Sequence, residues 1–311
     1  MITGLNYIKF LVVIFSLFPF LIIYRYHFIK LSPEEITCEQ IIPPAVQPRA
    51  EVLKSVDKAP SETISFKDLI RQSPTDQNDP RLLKLIQSRT IAPSPKPYHL
   101  HDGIRGKDYS QYGTQPLINR LFNKQRNGVF VEAGAFDGET MSASLHLEIN
   151  YKWTGLLVEP NQRVFRKLLS KNRKAYCLHG CISSCPYPQE LTVGSRGLGE
   201  DTVYYENRAG DTNLVECYPL YSLLSALNFT TVDLFILDIE GFELNVLRTL
   251  PFSRVNVKVW IIEWNHINKT ALDEIMFANG YRRELLPEGK TTQWLDGLYI
   301  KNPLKIPILL G

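Results

Sequence analysis

The sequence has little of several features that mark large classes of proteins. Its five cysteines are too few for a small disulfide scaffold, and an odd number cannot all pair within one chain. Charge of one sign is also scarce, because 35 Lys and Arg against 32 Asp and Glu give a net charge of only +3. Nucleic-acid binding usually needs a strong basic field, so we predict no nucleic-acid partner.

The chain does contain enough apolar material for a buried core. Its 44% of hydrophobic residues excludes a wholly disordered or fibrous protein. A length of 311 residues predicts about two folding units. The sequence shows no internal repeat and no low-complexity tract, so the units must be recognised from their local patterns.

The densest apolar stretch lies at the start of the chain. It begins at Leu5, ends at Tyr24 and contains Lys9 as its only charge, which is long enough and apolar enough for a membrane-spanning helix. A cleaved signal peptide is the alternative, but no small-x-small cleavage site follows the stretch. We therefore predict a signal-anchor transmembrane segment over residues 1–30, with the membrane as a partner.

Two sets of signals disagree about the orientation of this segment. Arg25 and Lys30 follow the span, so the positive-inside rule alone would place the main domain in the cytosol. Glycosylation acceptor patterns at Asn228 and Asn268, together with four cysteines between residues 177 and 217, favour the lumen instead.

The same cysteines raise the question of a metal site. Cys177, Cys181 and Cys185 follow one another at intervals of four residues, but they lack the matching downstream pair of a structural zinc site. We therefore predict no metal site. In an oxidising lumen, two or more of these residues and Cys217 should form disulfides, whose pairing the sequence does not specify.

Residues 31–105 contain ten of the twenty prolines, which is typical of a stalk. One short amphipathic helix is predicted inside this segment, because Asp79 can cap it and Pro80 can occupy its first turn ahead of Leu82. The stalk would hold the main domain away from the membrane or dock through the helix. A linker that has no function of its own is the alternative.

From residue 106 onward, short apolar runs alternate with helical stretches, which predicts a parallel sheet with covering helices. The run at residues 129–131 is followed by Glu132 and by a turn containing Gly134 and Gly138, and the next run ends at Glu159. A carboxylate at the end of such a strand suits bonding to ribose hydroxyls, which indicates a nucleoside pocket. Capping or solubilising the strand ends is the alternative role.

Two further runs bring acidic residues to the same edge of the predicted sheet. The run at residues 234–237 is followed by Asp238 and Glu240, and a later run ends in Glu263 and His266. Ligands of doubly wound sheets bind at this edge, where a histidine or carboxylate can act as a base. Helix capping by the acids and an ordinary surface histidine are the alternatives.

These runs carry a resemblance to a known family. VEAGAFDGE, GLLVEPN, LDIEGFE and IIEWNH resemble the FkbM-type methyltransferase family, and residues 79–301 are more narrowly similar to animal membrane proteins like the insect protein Star. The resemblance implies an α/β, Rossmann-like, S-adenosylmethionine-dependent methyltransferase fold over residues 106–311. It also implies S-adenosylmethionine as the cofactor and O-methylation of a hydroxyl acceptor.

The resemblance assigns the cofactor-binding residues. Glu132, Gly134, Asp137 and Gly138 would form the cofactor loop, and Glu159 would hold the ribose.

It also assigns the edge at which the methyl group is transferred. Asp238 and Glu240 would line this edge, with Glu240 counted among the cofactor-binding residues. A hydroxyl acceptor must lose its proton during the reaction, and Asp238 and His266 are the candidates for the base that removes it.

The likeness to Star implies a second class of function. Proteins of that kind are type II membrane proteins with a lumenal domain in the endoplasmic reticulum and Golgi, with the endosome and plasma membrane as further locations. They assist the export of membrane-bound growth-factor precursors for the epidermal growth factor receptor. A non-catalytic trafficking protein is therefore the alternative to a membrane-anchored methyltransferase.

Overall fold

The computed structural model describes residues 65–71, 74–101, 108–110, 114–195, 203–206, 214–284 and 296–303. All of them lie in one compact unit, Pro48–Gly311. The predicted signal-anchor lies outside the described residues. Among the helices that are described, none is both long and apolar enough to cross a membrane.

The described residues form strands and helices that alternate along most of the chain. The strands are β1 (Val129–Ala133), β2 (Thr154–Glu159), β3 (Tyr176–His179), β4 (Cys181–Ile182), β5 (Gln189–Ser195), β6 (Val203–Glu206), β7 (Leu214–Tyr218), β8 (Thr231–Leu237), β9 (Asn256–Glu263), β10 (Tyr281–Glu284) and β11 (Asp296–Lys301). The helices are α1 (Phe66–Arg71), α2 (Pro80–Arg89), α3 (Thr114–Phe122), α4 (Leu145–Tyr151), α5 (Gln162–Ser170), α6 (Leu220–Ala226), α7 (Glu243–Thr249) and α8 (Lys269–Ala278).

Seven strands form the central sheet in the order β10-β11-β9-β8-β1-β2-β3. The five strands from β9 to β3 are parallel, whereas β11 is antiparallel to both of its neighbours. The chain leaves β1 in one direction toward β2 and β3 and later returns on its other side with β8. The carboxyl ends of β1 and β8 therefore meet at a topological switch point, where ligands of such sheets bind. This arrangement confirms the predicted α/β sheet.

The sheet is buried on both faces because its strands are almost continuously apolar. Along β1, Val131 and Ala133 pack into one hydrophobic cluster, while Phe130 packs into a second cluster. Side chains that alternate along a strand point to opposite faces, so the two clusters are the two sides of the sheet. The rigid layer between them holds the strand ends in place.

The segment predicted to be a stalk is partly incorporated into this unit. The predicted helix forms as α2, with the Asp79 carboxylate accepting a hydrogen bond from the Arg81 amide at 2.8 Å. Its apolar side chains, including Leu82 and Ile86, are fully buried in the larger core cluster. Because these side chains complete the core, the sequence-based boundary at residue 106 lies inside the folded unit.

A smaller sheet has the strand order β4-β7-β5-β6 and contains a disulfide. Cys181 and Cys217 occupy paired positions of β4 and β7 and form a disulfide, and Cys185 is disulfide-bonded as well. Cys177 lies in β3 as a buried free thiol. Disulfides among these residues are therefore present, as expected.

Cys177 should resist alkylation by iodoacetamide in the folded chain. Burial raises the pKa of its thiol to about 12, so the reactive thiolate is scarce at neutral pH. Mass mapping without reduction should find Cys177 modified only after unfolding and should find Cys181 linked to Cys217. Rapid modification of Cys177 in the native chain would contradict the burial of its thiol in β3.

Candidate functional site

A cavity of about 340 Å³ lies at the carboxyl ends of the parallel strands. This volume is within the range of small-molecule sites. The residues that line it come from β1, β2, β8, β9 and β11 and from the loops that follow the parallel strands. They include Gly134, Phe136, Glu159, Asp238, Glu240, Glu263 and Asp296.

Gly134 lies where β1 and β8 come into closest contact. Its φ is +85°, and a Cβ at this position would lie 2.0 Å from the carbonyl oxygen of Asp238. The Gly134 amide donates to the Val158 carbonyl, and the Asp238 amide donates to the Ala133 carbonyl, each at 3.1 Å. Only glycine allows the two strand ends to approach this closely, so Gly134 determines the shape of the cavity floor.

Glu159 ends β2 and lies on the wall of the cavity. Its carboxylate accepts hydrogen bonds from the amides of Phe136 and Asn161, at 3.0 and 2.7 Å. These bonds join the loop after β1 to the start of α5.

Glu132 lies in β1, and its carboxylate is bonded to the segment that precedes α4. It is only 4% exposed, and its carboxylate accepts bonds from the Ala143 amide at 3.0 Å and from the hydroxyls of Ser142 and Ser144. Burial raises its pKa, while the nearby Arg173 and these bonds oppose the shift. Glu132 therefore holds in place the segment that precedes α4. It is also one of the residues that line the cavity.

Arg173 is a fully buried cation that sequence reasoning missed. It forms an ion pair with Glu148 at 3.0 Å, and neither side chain is exposed to solvent. Its guanidinium also donates to the Gly138 carbonyl and to the hydroxyls of Ser142 and Ser144. Arg173 therefore connects α4 to both ends of the loop from residue 138 to residue 144.

Asp137 and Gly138 shape this loop and are not among the residues that line the cavity. The Asp137 carboxylate accepts bonds from the amides of Glu139 and Thr140, at 2.9 and 2.7 Å. Gly138 contributes the carbonyl that Arg173 binds. Both residues thus hold the predicted cofactor loop in its conformation.

Carboxylates are concentrated on the other side of the cavity. Asp238 and Glu263 adjoin each other, and burial together with this neighbour raises the pKa of Asp238 well above its usual range. Burial also raises the pKa of Glu263 to about 7 and that of Asp296 to about 6. A carboxylate with a raised pKa is a better proton acceptor near neutral pH, so this cluster suits acid–base chemistry.

The two candidate bases occupy different places. Asp238 lies on the cavity wall, whereas His266 lies at the rim with 53% of its side chain exposed. His266 reaches the site through Glu240, whose Oε2 is 3.7 Å from the histidine Nε2. The structure therefore brings Asp238 to the cavity directly and His266 only by way of Glu240.

Glu243 supports the turn from which Asp238 and Glu240 project. It is 1% exposed, and its Oε1 accepts bonds from the amides of Ile239 and Gly241, at 2.8 and 3.3 Å. Burial is the main cause that raises its pKa to about 7. Glu243 is therefore a buried acid that is bonded to the turn carrying Asp238 and Glu240.

We expect the free energy of unfolding to vary less with pH in the Glu243→Gln variant than in the wild type. The folded wild type binds the Glu243 proton more tightly than the unfolded chain does, so this group stabilises the fold below pH 4.5 and that stability is lost as the pH rises to about 7. Glutamine keeps the Oε1 acceptor but does not titrate. Urea unfolding at pH 5 and pH 8 should show the difference against Glu274→Gln, an exposed control, and parallel profiles for both variants would contradict it.

The fold and the cavity together define a doubly wound α/β domain with a ligand site at its switch point. Residues 132–283 match the family model described as the methyltransferase FkbM domain. This match supports the resemblance to the FkbM-type methyltransferase family over that segment. No curated protein sequence is similar enough to this one to count as a match.

Several solved structures are similar in fold at low sequence identity. A methyltransferase FkbM from Methylobacillus flagellatus is 14% identical with a TM-score of 0.34, covering 75% of this chain and 60% of its own. A TehB-like methyltransferase from Corynebacterium glutamicum is 12% identical with a TM-score of 0.35, covering 63% and 90%. A magnesium protoporphyrin IX methyltransferase from Synechocystis, solved with bound S-adenosylmethionine, is 9% identical with a TM-score of 0.32, covering 63% and 86%. All three TM-scores are below 0.5, so the fold assignment rests on the strand order and the family match.

Proposed function

We propose that the chain binds S-adenosylmethionine in the cavity and transfers its methyl group to a hydroxyl acceptor. The observation that carries this proposal is the position of Glu159, which ends the strand next to β1 and lies on the cavity wall beside the glycine turn. An acidic residue at this place is suited to the hydroxyls of a ribose. The family match over residues 132–283 supports the same cofactor.

The residues that are present fit this cofactor in two respects. Glu159 lies on the cavity wall at the end of β2, where an acidic side chain is suited to the hydroxyls of a ribose. Gly134 keeps the cavity floor open, since a Cβ there would collide with the Asp238 carbonyl. The cofactor would supply an activated methyl group on a positively charged sulfur, and the carboxylates of the cavity favour a positive charge electrostatically.

The chain would contribute positioning and a base. Methyl transfer from a sulfonium is an in-line displacement that depends above all on orientation, which the bonded loop from residue 134 to residue 144 provides. Asp238 is the candidate that lines the cavity, and its raised pKa suits it to accept the acceptor's hydroxyl proton. His266 would assist at the rim through Glu240.

We further propose that the domain faces the lumen of the secretory pathway as a type II membrane protein. The disulfide between Cys181 and Cys217 supports an oxidising compartment, and Asn228 and Asn268 are both exposed as glycosylation would require. Protease treatment of sealed microsomes tests this location. A protected carboxyl-terminal domain is expected, and digestion without permeabilisation would overturn the lumenal assignment.

Replacing Glu159 by Ala should weaken S-adenosylmethionine binding about thirtyfold, equivalent to about 2 kcal/mol for a charged, buried contact. The reason is that the ribose hydroxyls and the amides of Phe136 and Asn161 would lose their acceptor. Calorimetric titration of the full chain measures the change, with Glu274→Ala on the exposed side of α8 as the matched control. Equal affinities in the wild type and a folded Glu159→Ala variant would remove Glu159 from the site.

A further inference from the structure

Asp238 and Glu263 lie side by side at the carboxyl ends of two neighbouring parallel strands. In the register of β8 and β9, Leu237 is opposite Ile262, so the next residues along the two strands are Asp238 and Glu263. Both side chains line the cavity, and a hydrogen bond joins their carboxyl groups. The backbone therefore holds two acids in direct contact at the edge of the sheet where the cavity lies.

A hydrogen bond between two carboxyl groups requires a proton on one of them. An ionised carboxylate can only accept hydrogen bonds, so two ionised carboxylates in contact would repel each other. One proton allows one group to donate and leaves the other as an ionised acceptor. The contact itself therefore indicates that the two acids hold a proton between them.

The other bonds of Glu263 indicate the same proton independently. Its Oε1 accepts a hydrogen bond from the side-chain amide of Asn265 at 3.1 Å. Its Oε2 is buried and receives no hydrogen bond from an N–H or hydroxyl group in the part of the chain that the structure describes. A buried acceptor without a donor is costly, and a protonated Asp238 beside it would supply the donor.

The charges around the pair oppose a second negative charge on it. Glu240, Glu243 and Asp296 all face the pair, and Asp296 lies opposite Glu263 in the register of β9 and β11. The described lining of the cavity contains no Lys, Arg or His. His266 lies at the rim, where its Nε2 is 3.7 Å from Glu240. A proton is therefore the positive charge that the described residues offer to the pair.

We propose that Asp238 and Glu263 share one proton at neutral pH and act together as the base of the cavity. The pKa values agree with this sharing, because burial and the neighbouring Glu263 raise the pKa of Asp238 well above its usual range. Burial also raises the pKa of Glu263 to about 7. Two acids that interact strongly titrate as a unit, so the base belongs to the pair and includes Glu263.

The consequence for the reaction rests on the proposed function. When the O–H bond of the acceptor breaks, its proton passes to the ionised carboxylate of the pair, which then holds two protons and no net charge. The electron pair of that bond stays on the oxygen, which bonds to the methyl carbon as the bond from this carbon to the sulfur breaks and leaves its electrons on the sulfur. Sharing one proton thus leaves one carboxylate free to act as the base.

Infrared spectroscopy of the full-length chain in detergent tests the pair without cofactor or acceptor. At pH 8 ordinary carboxyl groups are ionised, so the carbonyl stretching band of a protonated carboxyl group should come from the shared proton. We expect this band in the wild type and its loss in both Asp238→Asn and Glu263→Gln, although each variant removes only one carboxyl group. The remaining acid should ionise once its charged neighbour is gone. Glu274→Gln, which changes an exposed acid on α8, should keep the band.

Two results would overturn the shared proton. One is a wild type without the band at pH 8, and the other is a band that persists in either folded single variant, because the proton would then belong to one acid alone. If a variant does not fold, the wild type labelled with a heavier carbon isotope in its aspartates decides the question. Its band should move to lower frequency, since the proton lies mainly on Asp238, and an unmoved band would equally overturn the pair. A chain that shows the band but does not bind S-adenosylmethionine would contradict only the proposed function.

Discussion

Replacing Gly134 by Ala should destabilise the domain by about 3 kcal/mol or more, and the variant is expected to unfold or to lose the cavity. Two costs add at this position. A residue with a Cβ is strained at a φ of +85°, and the Cβ would lie 2.0 Å from the Asp238 carbonyl oxygen. Backbone cannot move aside as the end of a flexible side chain can, so β1 and β8 would have to separate.

Gly280 provides a matched control for this prediction. Its φ is +84°, almost the same as that of Gly134, but a Cβ at Gly280 would have no atom within 4 Å. Gly280→Ala should therefore lose only the conformational part, about 1–2 kcal/mol. The difference between the two variants in the free energy of unfolding, measured in urea, gives the cost of the collision between the added Cβ and the Asp238 carbonyl. Equal losses would show that β1 and β8 do not approach each other as closely as described.

Replacing Arg173 by Met should cost about 3–5 kcal/mol, because Glu148 would remain as a buried charge without its partner. The variant would also remove three hydrogen bonds that reach Gly138, Ser142 and Ser144. Since these bonds hold the loop beside the cavity, any folded fraction should bind S-adenosylmethionine more weakly. Thermal unfolding and calorimetric titration measure the two effects.

Arg166→Met serves as the control for Arg173, because Arg166 is exposed on α5 and the same change there should be nearly neutral. A double variant, Arg173→Met with Glu148→Gln, should recover part of the lost stability by removing the unpaired charge. No recovery would mean that Arg173 stabilises the domain mainly through its hydrogen bonds to the loop from residue 138 to residue 144. A single Arg173→Met variant as stable as the wild type would refute the buried network altogether.

Much of the sheet could be predicted from the sequence because its parallel strands have a simple signature. Four of the five, β1, β2, β8 and β9, are buried apolar runs that end at or beside an acid, and Glu132, Glu159 and Asp238 all lie at or just past strand ends as expected. The helix that begins at Pro80 was equally recognisable from its cap. These features depend on local sequence, which is why no tertiary information was needed.

Asp296 and Arg173 could not be recognised in this way. Asp296 is the first residue of its strand, and it reaches the cavity only because β11 runs antiparallel to β9, with Asp296 opposite Glu263. Arg173 precedes an apolar run, where an arginine is ordinarily a surface residue. Its burial follows from four partners that lie 25 to 35 residues earlier in the chain. The burial of α2 could not be predicted for a related reason, since proline content does not reveal which helix packs into the core.

Binding of S-adenosylmethionine by the full-length chain is the most direct test of the central claim. Calorimetric titration in detergent should show saturable binding of one molecule per chain, weakened about thirtyfold by Glu159→Ala and unchanged by Glu274→Ala. Absence of binding at millimolar cofactor, in a chain whose circular dichroism shows the folded domain, would contradict the claim. The doubly wound α/β fold would then serve a purpose other than methyl transfer.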